Sequence, residues 1–334
     1  MRLYGVGSRD KEDTEDNYNH QPPTTNYQLP ITIMELRHLR YFIAVAEELN
    51  FSRAAERLHM AQPPLSQQIR DLEAEIGVRL FDRTKRRVEL TVAGRVFLEK
   101  VRQLLRQIEQ AVEAAQRASR GEIGRLSLGF NSSATYSVLP TLLKAFRERC
   151  PEVVLDLHEL TTPQQILQLQ QQQIDAGILY LPIDLEEIEL EIVSVLKEGM
   201  AIAIPETHPL ATSTQISIRA LSQELFVLPP ARLGSGLYNQ IRQFFQQTEF
   251  SPIAVQEAIQ LQTSISLVAG GVGVALVPSS LQNLQRAGVI YRSLIEPTPE
   301  IEIAVAWRKG ERSPILQNFI ESIYEHFSVE MLHV

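Results

Sequence analysis

A single cysteine, Cys150, stands among 334 residues, which leaves no partner for a disulfide and no multi-cysteine zinc site; it fits a reducing compartment, and the expected location is the cytoplasm. No apolar run approaches the ~20 residues of a membrane-spanning helix. The first 33 residues are polar and acidic and hold no apolar signal stretch. Glycine (16) and proline (18) are present at ordinary levels, so a collagen-like or wholly disordered chain is excluded. Serine, histidine and aspartate occur, but none sits in a nucleophile elbow, a metal-spaced pair or a phosphate loop. The expectation is a protein that is not an enzyme, has no cofactor and does not meet a membrane.

What is present is globular: 44% apolar and 22% charged residues, enough for two or three domains. The net charge of −8 is unevenly spread. Residues 1–33 carry three basic and five acidic side chains, residues 34–121 carry 16 and 12, and residues 122–334 carry 13 and 23. A basic module able to meet phosphates is thus attached to an acidic body that is not.

Residues 1–33, with Pro22-Pro23 and little apolar periodicity, read as a disordered tail or as the product of a misplaced start codon. From Leu36 the period is helical, with Leu39, Phe42, Ile43, Ala46 and Leu49 three or four residues apart. Ser52 is the expected N-cap of a short second helix carrying Ala54, Ala55 and Leu58. A third helix starts near Pro63-Pro64, where proline suits the first turn, and ends at Gly77. Two short helices about a tight turn form a helix-turn-helix. Val78 to Leu90 then makes a hairpin wing with the cationic tip Arg83-Thr84-Lys85-Arg86-Arg87. A long helix without a breaker follows from Thr91 to Gly121, and Phe97, Val101, Leu104 and Ile108 open a heptad seam suited to dimerisation. Beyond it, strands such as Arg125 to Phe130, Val153 to Glu159 and Ala176 to Tyr180 alternate with helical patterns, which predicts parallel sheets. The Gln-rich stretch Gln164 to Gln173 keeps Ile166, Leu167 and Leu169 at helical spacing and reads as a polar helix surface.

Taken in order, Ala54-Ala55-Glu56-Arg57-Leu58, Gln62-Pro63-Pro64-Leu65-Ser66, Leu80-Phe81-Asp82-Arg83 and Leu90-Thr91-Val92-Ala93-Gly94 resemble the LysR-type transcriptional regulators. The likeness extends from Met34, which would be the natural start in that family, to about residue 325, and it includes Val268-Ala269-Gly270-Gly271-Val272-Gly273. The Met34 opening and the double proline particularly resemble the branch that controls aromatic-acid breakdown in response to muconate-like diacids. The resemblance implies a mainly α/β protein: an N-terminal winged helix-turn-helix (34–91), a linker helix (92–121) and a two-lobed, periplasmic-binding-protein-like effector domain (122–325), with 326–334 as a tail. Lobe one would comprise about 125–197 and 301–325, and lobe two about 198–300. The implied function is a sequence-specific regulator of transcription that binds double-stranded promoter DNA, is switched by a small anionic effector, assembles as a homodimer or homotetramer and contacts RNA polymerase. The competing reading, a cytoplasmic solute-binding protein without regulatory role, has no use for residues 34–90.

In this frame Gln62, Pro63, Pro64, Ser66, Gln67 and Arg70 lead the helix that enters the major groove, and glutamine can pair bidentately with adenine. Many relatives carry arginine where Gln67 stands, which opens the base preference there. Arg83 and Arg86 are expected on phosphates or in the minor groove. Short hydroxyl side chains after strands, ahead of helix starts, suit a small anion. Ser132, Ser133, Thr161 and Thr162 have that placement, and Ser133 and Thr162 match ligand-holding positions of the muconate branch. That branch places arginine at Tyr180, which carries no charge; Arg232 is the candidate substitute cation.

Overall fold

The computed structural model describes residues 34–84, 87–183, 189–231, 236–327 and 330–332, so the expected tail (1–33), Arg86 and Arg232 lie outside the described residues. The chain divides into two compact units, with the break after Glu109.

The first unit begins with α1 (Leu36–Glu48), whose Leu39, Phe42, Val45 and Ala46 are buried at the predicted three- and four-residue steps. Helix α2 (Phe51–Arg57) starts from Asn50, not from Ser52 as the sequence suggests: Asn50 Oδ1 accepts the backbone N–H groups of Ser52 and Arg53. Asparagine caps as well as serine, and the extended backbone at Asn50 decides between them. Helix α3 (Gln62–Ile76) opens on the double proline and closes at Gly77, whose φ of +81° is the left-handed conformation glycine adopts at low cost. Strands β1 (Phe81–Arg83) and β2 (Val88–Leu90) pair antiparallel as the wing. Thr91 then caps α4 (Val92–Ser119) through its Oγ1 and the Gly94 N–H, while donating to the carbonyl of Arg79. Gly94 cannot be larger, since a Cβ there would lie 2.1 Å from the Leu80 carbonyl oxygen. The core joins Leu65, Ile69 and Leu72 of α3 to a ring cluster, with Phe42 5.4 Å from Phe81 and 5.0 Å from Phe97.

The second unit has two α/β lobes that share one large apolar core, with a smaller separate cluster around Leu179, Ile192 and Ala304 in lobe one. Strands β3 (Ile123–Phe130), β4 (Glu152–Glu159) and β5 (Ala176–Leu181) are parallel, linked by α5 (Leu139–Arg149) and α6 (Thr162–Gln170). Strand β6 (Leu190–Glu198) leads into the second lobe and β13 (Ile301–Arg308) returns from it, antiparallel to β6 and to β5. The expected all-parallel sheet is therefore mixed, because an outgoing and a returning strand must run in opposite directions. Residues Glu330–Leu332, expected as tail, add an edge strand, β14, antiparallel to β6, after helix α9 (Pro314–His326). The six-stranded order is β14-β6-β13-β5-β3-β4.

In lobe two, β7 (Met200–Pro205), β8 (Gln215–Ile216), β11 (Ala275–Pro278) and β12 (Val289–Leu294) form a sheet in the order β11-β7-β12-β8. Strands β9 (Leu225–Leu228) and β10 (Ala254–Glu257) form a parallel pair, with α7 (Gly236–Gln247) and α8 (Leu261–Ala269) alongside in sequence. Where the chain crosses between lobes, the Glu198 carboxylate accepts from Ser279 Oγ, Ser280 N and Ser280 Oγ at 3.0, 2.6 and 2.9 Å. No helix among the described residues is long and apolar enough to cross a membrane.

Candidate functional site

On α3, Leu65, Ile69 and Leu72 take the buried stripe, so Gln62, Pro63, Pro64, Gln67 and Arg70 are left in solvent with Ser66 half-buried. Their polar atoms are satisfied locally. Gln62 donates to Ser66 Oγ (2.9 Å), Gln67 donates to Asp71 Oδ1 (2.8 Å), and Arg70 Nε donates to the Ser66 carbonyl (3.3 Å). Such bonds between exposed neighbours on one helix are worth a few tenths of a kcal/mol, so base edges can replace them.

Arg83 is held differently. Its Nη2 donates to Glu73 Oε2 at 2.7 Å and its guanidinium stacks over the Phe51 ring at 4.8 Å, leaving the side chain 29% exposed. Glu73 Oε1 also accepts the N–H groups of Leu80 and Phe81. Partial burial pulls the Arg83 pKa below the usual arginine value, against the pull of Glu73. This pair clamps the wing to α3. At the wing turn, Arg87 pairs with Glu89 at 2.5 Å and donates its N–H to Thr84 Oγ1.

The heptad seam on α4 is split. Phe97 and Val101 are spent inside their own unit, Val101 at 3% exposure, whereas Leu104 is 44% exposed and Ile108 is half-buried. Leu36 and Leu39 of α1, with Phe97, Val101 and Leu104 of α4, line an apolar groove of about 500 Å³.

A cavity of about 50 Å³ lies between the lobes. Lobe one supplies Asn131, Ser132, Leu160, Thr161, Thr162 and Tyr180, and lobe two supplies Pro229, Leu237, Ile259, Gln260 and Leu261. Three helices begin at this wall: α6 at Thr162, α7 at Gly236 and α8 at Leu261. Their opening N–H groups and dipoles present positive potential from both lobes. Of the sequence-predicted residues, Ser132, Thr161, Thr162 and Tyr180 reach the wall. Thr161 is partly occupied as a cap, its N–H and Oγ1 donating to Gln164 Oε1. Thr162 is buried and accepts the Tyr180 N–H at 3.4 Å.

Ser133 sits behind the wall, fully buried. Its Oγ accepts the Tyr180 hydroxyl and donates to Asn131 Oδ1 at 2.8 Å. Burial pushes the Tyr180 phenol far above its ordinary pKa, and the Ser133 bond only partly offsets this, so Tyr180 acts as a neutral donor.

Sequence reasoning missed Asn131, which adjoins the serines it did select, and the described lobe-two residues Pro229, Leu237, Ile259, Gln260 and Leu261. It also misread Gln165. That residue is fully buried, and its Nε2 donates to the carbonyls of Leu160 and Ile178, tying the loop after β4 to strand β5. The signal in the sequence was glycine on the facing strands: a Cβ at Gly177 would come within 2.7 Å of Gln165 Oε1, and one at Gly129 within 3.1 Å of its Cγ.

A winged helix-turn-helix followed by a two-lobed binding domain defines a ligand-responsive DNA-binding regulator. Residues 36–95 match the bacterial regulatory helix-turn-helix of the LysR family, and residues 119–328 match the LysR substrate-binding domain. The chain belongs to the LysR family of transcriptional regulators. It is 44% identical to the transcriptional regulator AlsR of Bacillus subtilis (strain 168) over 86% of this chain and 94% of that protein. The structure of full-length CbnR complexed with target DNA is similar with a TM-score of 0.77 and 28% identity, covering 87% of this chain and 99% of CbnR. The BenM effector-binding domain with its effector benzoate matches with a TM-score of 0.53 and 25% identity, over 60% of this chain and 91% of that one. The relatives are named as transcriptional regulators, a non-enzymatic role.

Proposed function

We propose that this regulator reads promoter DNA in the cytoplasm as a homodimer or homotetramer, and that a small anion in the interlobe cavity switches its contact with RNA polymerase. The carrying observation is the convergence of three helix starts on one small cavity without a charged side chain among its described lining residues. Ser132, Thr161, Thr162 and Tyr180 form the effector wall in this reading, with Ser133 holding Tyr180 and Asn131 from behind. Arg232 stays a candidate cation, and Arg86 a candidate phosphate contact. BenM, whose effector is benzoate, supports an acid as ligand.

A thermal-shift screen of the full chain against sodium salts of small acids tests the cavity. A ligand at 100 times its Kd adds about 2.7 kcal/mol, and its effect should vanish in Thr162→Val. A ligand whose shift survives that change binds elsewhere.

The α1–α4 groove and the exposed Leu104 support a second copy as the partner of α4. Leu104→Lys with Ile108→Lys should sediment as monomer and lose operator binding. Wild-type sedimentation would remove the seam.

A further inference from the structure

Asn131 carries a feature that its neighbours do not. It is 6% exposed and lines the cavity, and its Nδ2 is a buried donor with no hydrogen-bond partner among the described residues. The amide cannot be turned over to change this. Oδ1 accepts from Ser133 Oγ at 2.8 Å and from the Ala134 N–H at 3.1 Å, and a backbone N–H can only donate. The Tyr180 hydroxyl donates to Ser133 in turn, so the whole chain of bonds runs toward Asn131 Oδ1 and leaves Nδ2 as its unused end. A buried donor left unpaired is costly, and an acceptor that fills it is selected over one that does not.

Charge narrows the acceptor further. None of the described lining side chains is charged. Positive potential comes from helix starts, each equivalent to about half an elementary charge, which suits one negative group.

We propose that Asn131 is the specificity-determining donor of the cavity, and that its ligand is a small, singly charged carboxylate that accepts from Asn131 Nδ2. This rests on reading the cavity as the effector site. Asn131→Asp is the discriminating variant, because it keeps the oxygen that caps the Ser132–Tyr136 turn and replaces only the donor. Asn131→Ala is the second, free of any added charge. Full-length protein is titrated by thermal shift with sodium acetate, propionate and butyrate, and in parallel with succinate and inorganic phosphate at matched ionic strength. Circular dichroism of each variant confirms folding.

The expected result is stabilisation by a monocarboxylate, weaker effects from succinate and phosphate, and an affinity loss of at least tenfold in both Asn131 variants. Stabilisation that both Asn131 variants retain but Thr162→Val abolishes would overturn the role of Asn131 and leave the cavity as the effector site. Stabilisation by succinate or phosphate above every monocarboxylate, or by none of the five salts, would overturn the ligand class. Stabilisation indifferent to Asn131 and Thr162 alike would overturn the cavity itself.

Discussion

On α3, Gln62 donates to Ser66 and Gln67 to Asp71, one turn along the same helix and in contact with water; around the cavity, Tyr180 donates to Ser133 and Ser133 to Asn131 under cover. The residue types overlap, yet the two regions select their partners by opposite means. An exposed amide exchanges one weak partner for another, so α3 can test many base edges at little cost, and discrimination comes from the pairs that fit. A buried chain of bonds is fixed in direction before any ligand arrives, and discrimination comes from the single group it leaves unmatched. Arg83 belongs with the buried class although it sits in the DNA-binding unit. Its bond to Glu73 and its stacking on Phe51 make it a clamp for the wing, so its contribution to DNA binding passes through wing position as well as charge.

The comparison is broken most forcefully at Tyr180. Removing its hydroxyl in Tyr180→Phe strands a buried acceptor and should destabilise the effector unit by about 1–2 kcal/mol in urea denaturation. The same variant changes the alkaline limb. A phenol whose pKa is raised by burial contributes stability that is complete below its unfolded value near 10 and is lost as the pH climbs beyond it, because the unfolded chain ionises first. Tyr180→Phe should therefore flatten the decline between pH 10 and 11. Part of the slope remains through Tyr291, which burial pushes up to about 12. An unchanged slope and midpoint would show that the buried chain is as replaceable as the exposed one.

The smallest effect on stability is expected at Gln67. Gln67→Ala lies on an exposed helix face and should stay within about 0.5 kcal/mol of the parent, while the base preference at one operator position relaxes by about 1–3 kcal/mol. Selection from random-sequence DNA reads this directly. Identical selected sequences from parent and variant would take Gln67 out of direct readout.

The DNA-binding unit was the more legible half. Leu65, Ile69 and Leu72 repeat at helical spacing, Gly77 stops α3, and Leu80, Thr91 and Gly94 form one packed corner, all within 30 residues of chain. Local periodicity and turn chemistry carry such a unit, because its interacting groups are neighbours in sequence. The hydroxyls of the first wall were legible for the same reason: Ser132 and Thr161-Thr162 each stand where a strand gives way to the turn or helix that follows it.

What the amino-acid order by itself determined, then, is the helices and wing of the DNA-binding unit, the first strands and helices of the effector unit, breakers such as Gly77, and the hydroxyls that reach one side of the cavity. The tertiary structure alone decided the rest. It brought Pro229, Leu237 and Gln260 opposite Asn131 across the lobes, ran β13 back against β5, buried Gln165 beneath the loops and turned Arg83 onto Glu73. The physical reason is contact distance along the chain. A cap or a helical stripe is settled within a few residues, as the Ala134 N–H settles which end of the Asn131 amide accepts, whereas Nδ2 is a buried donor beside a cavity only because Tyr180 and Gln260, distant along the chain, line the same space.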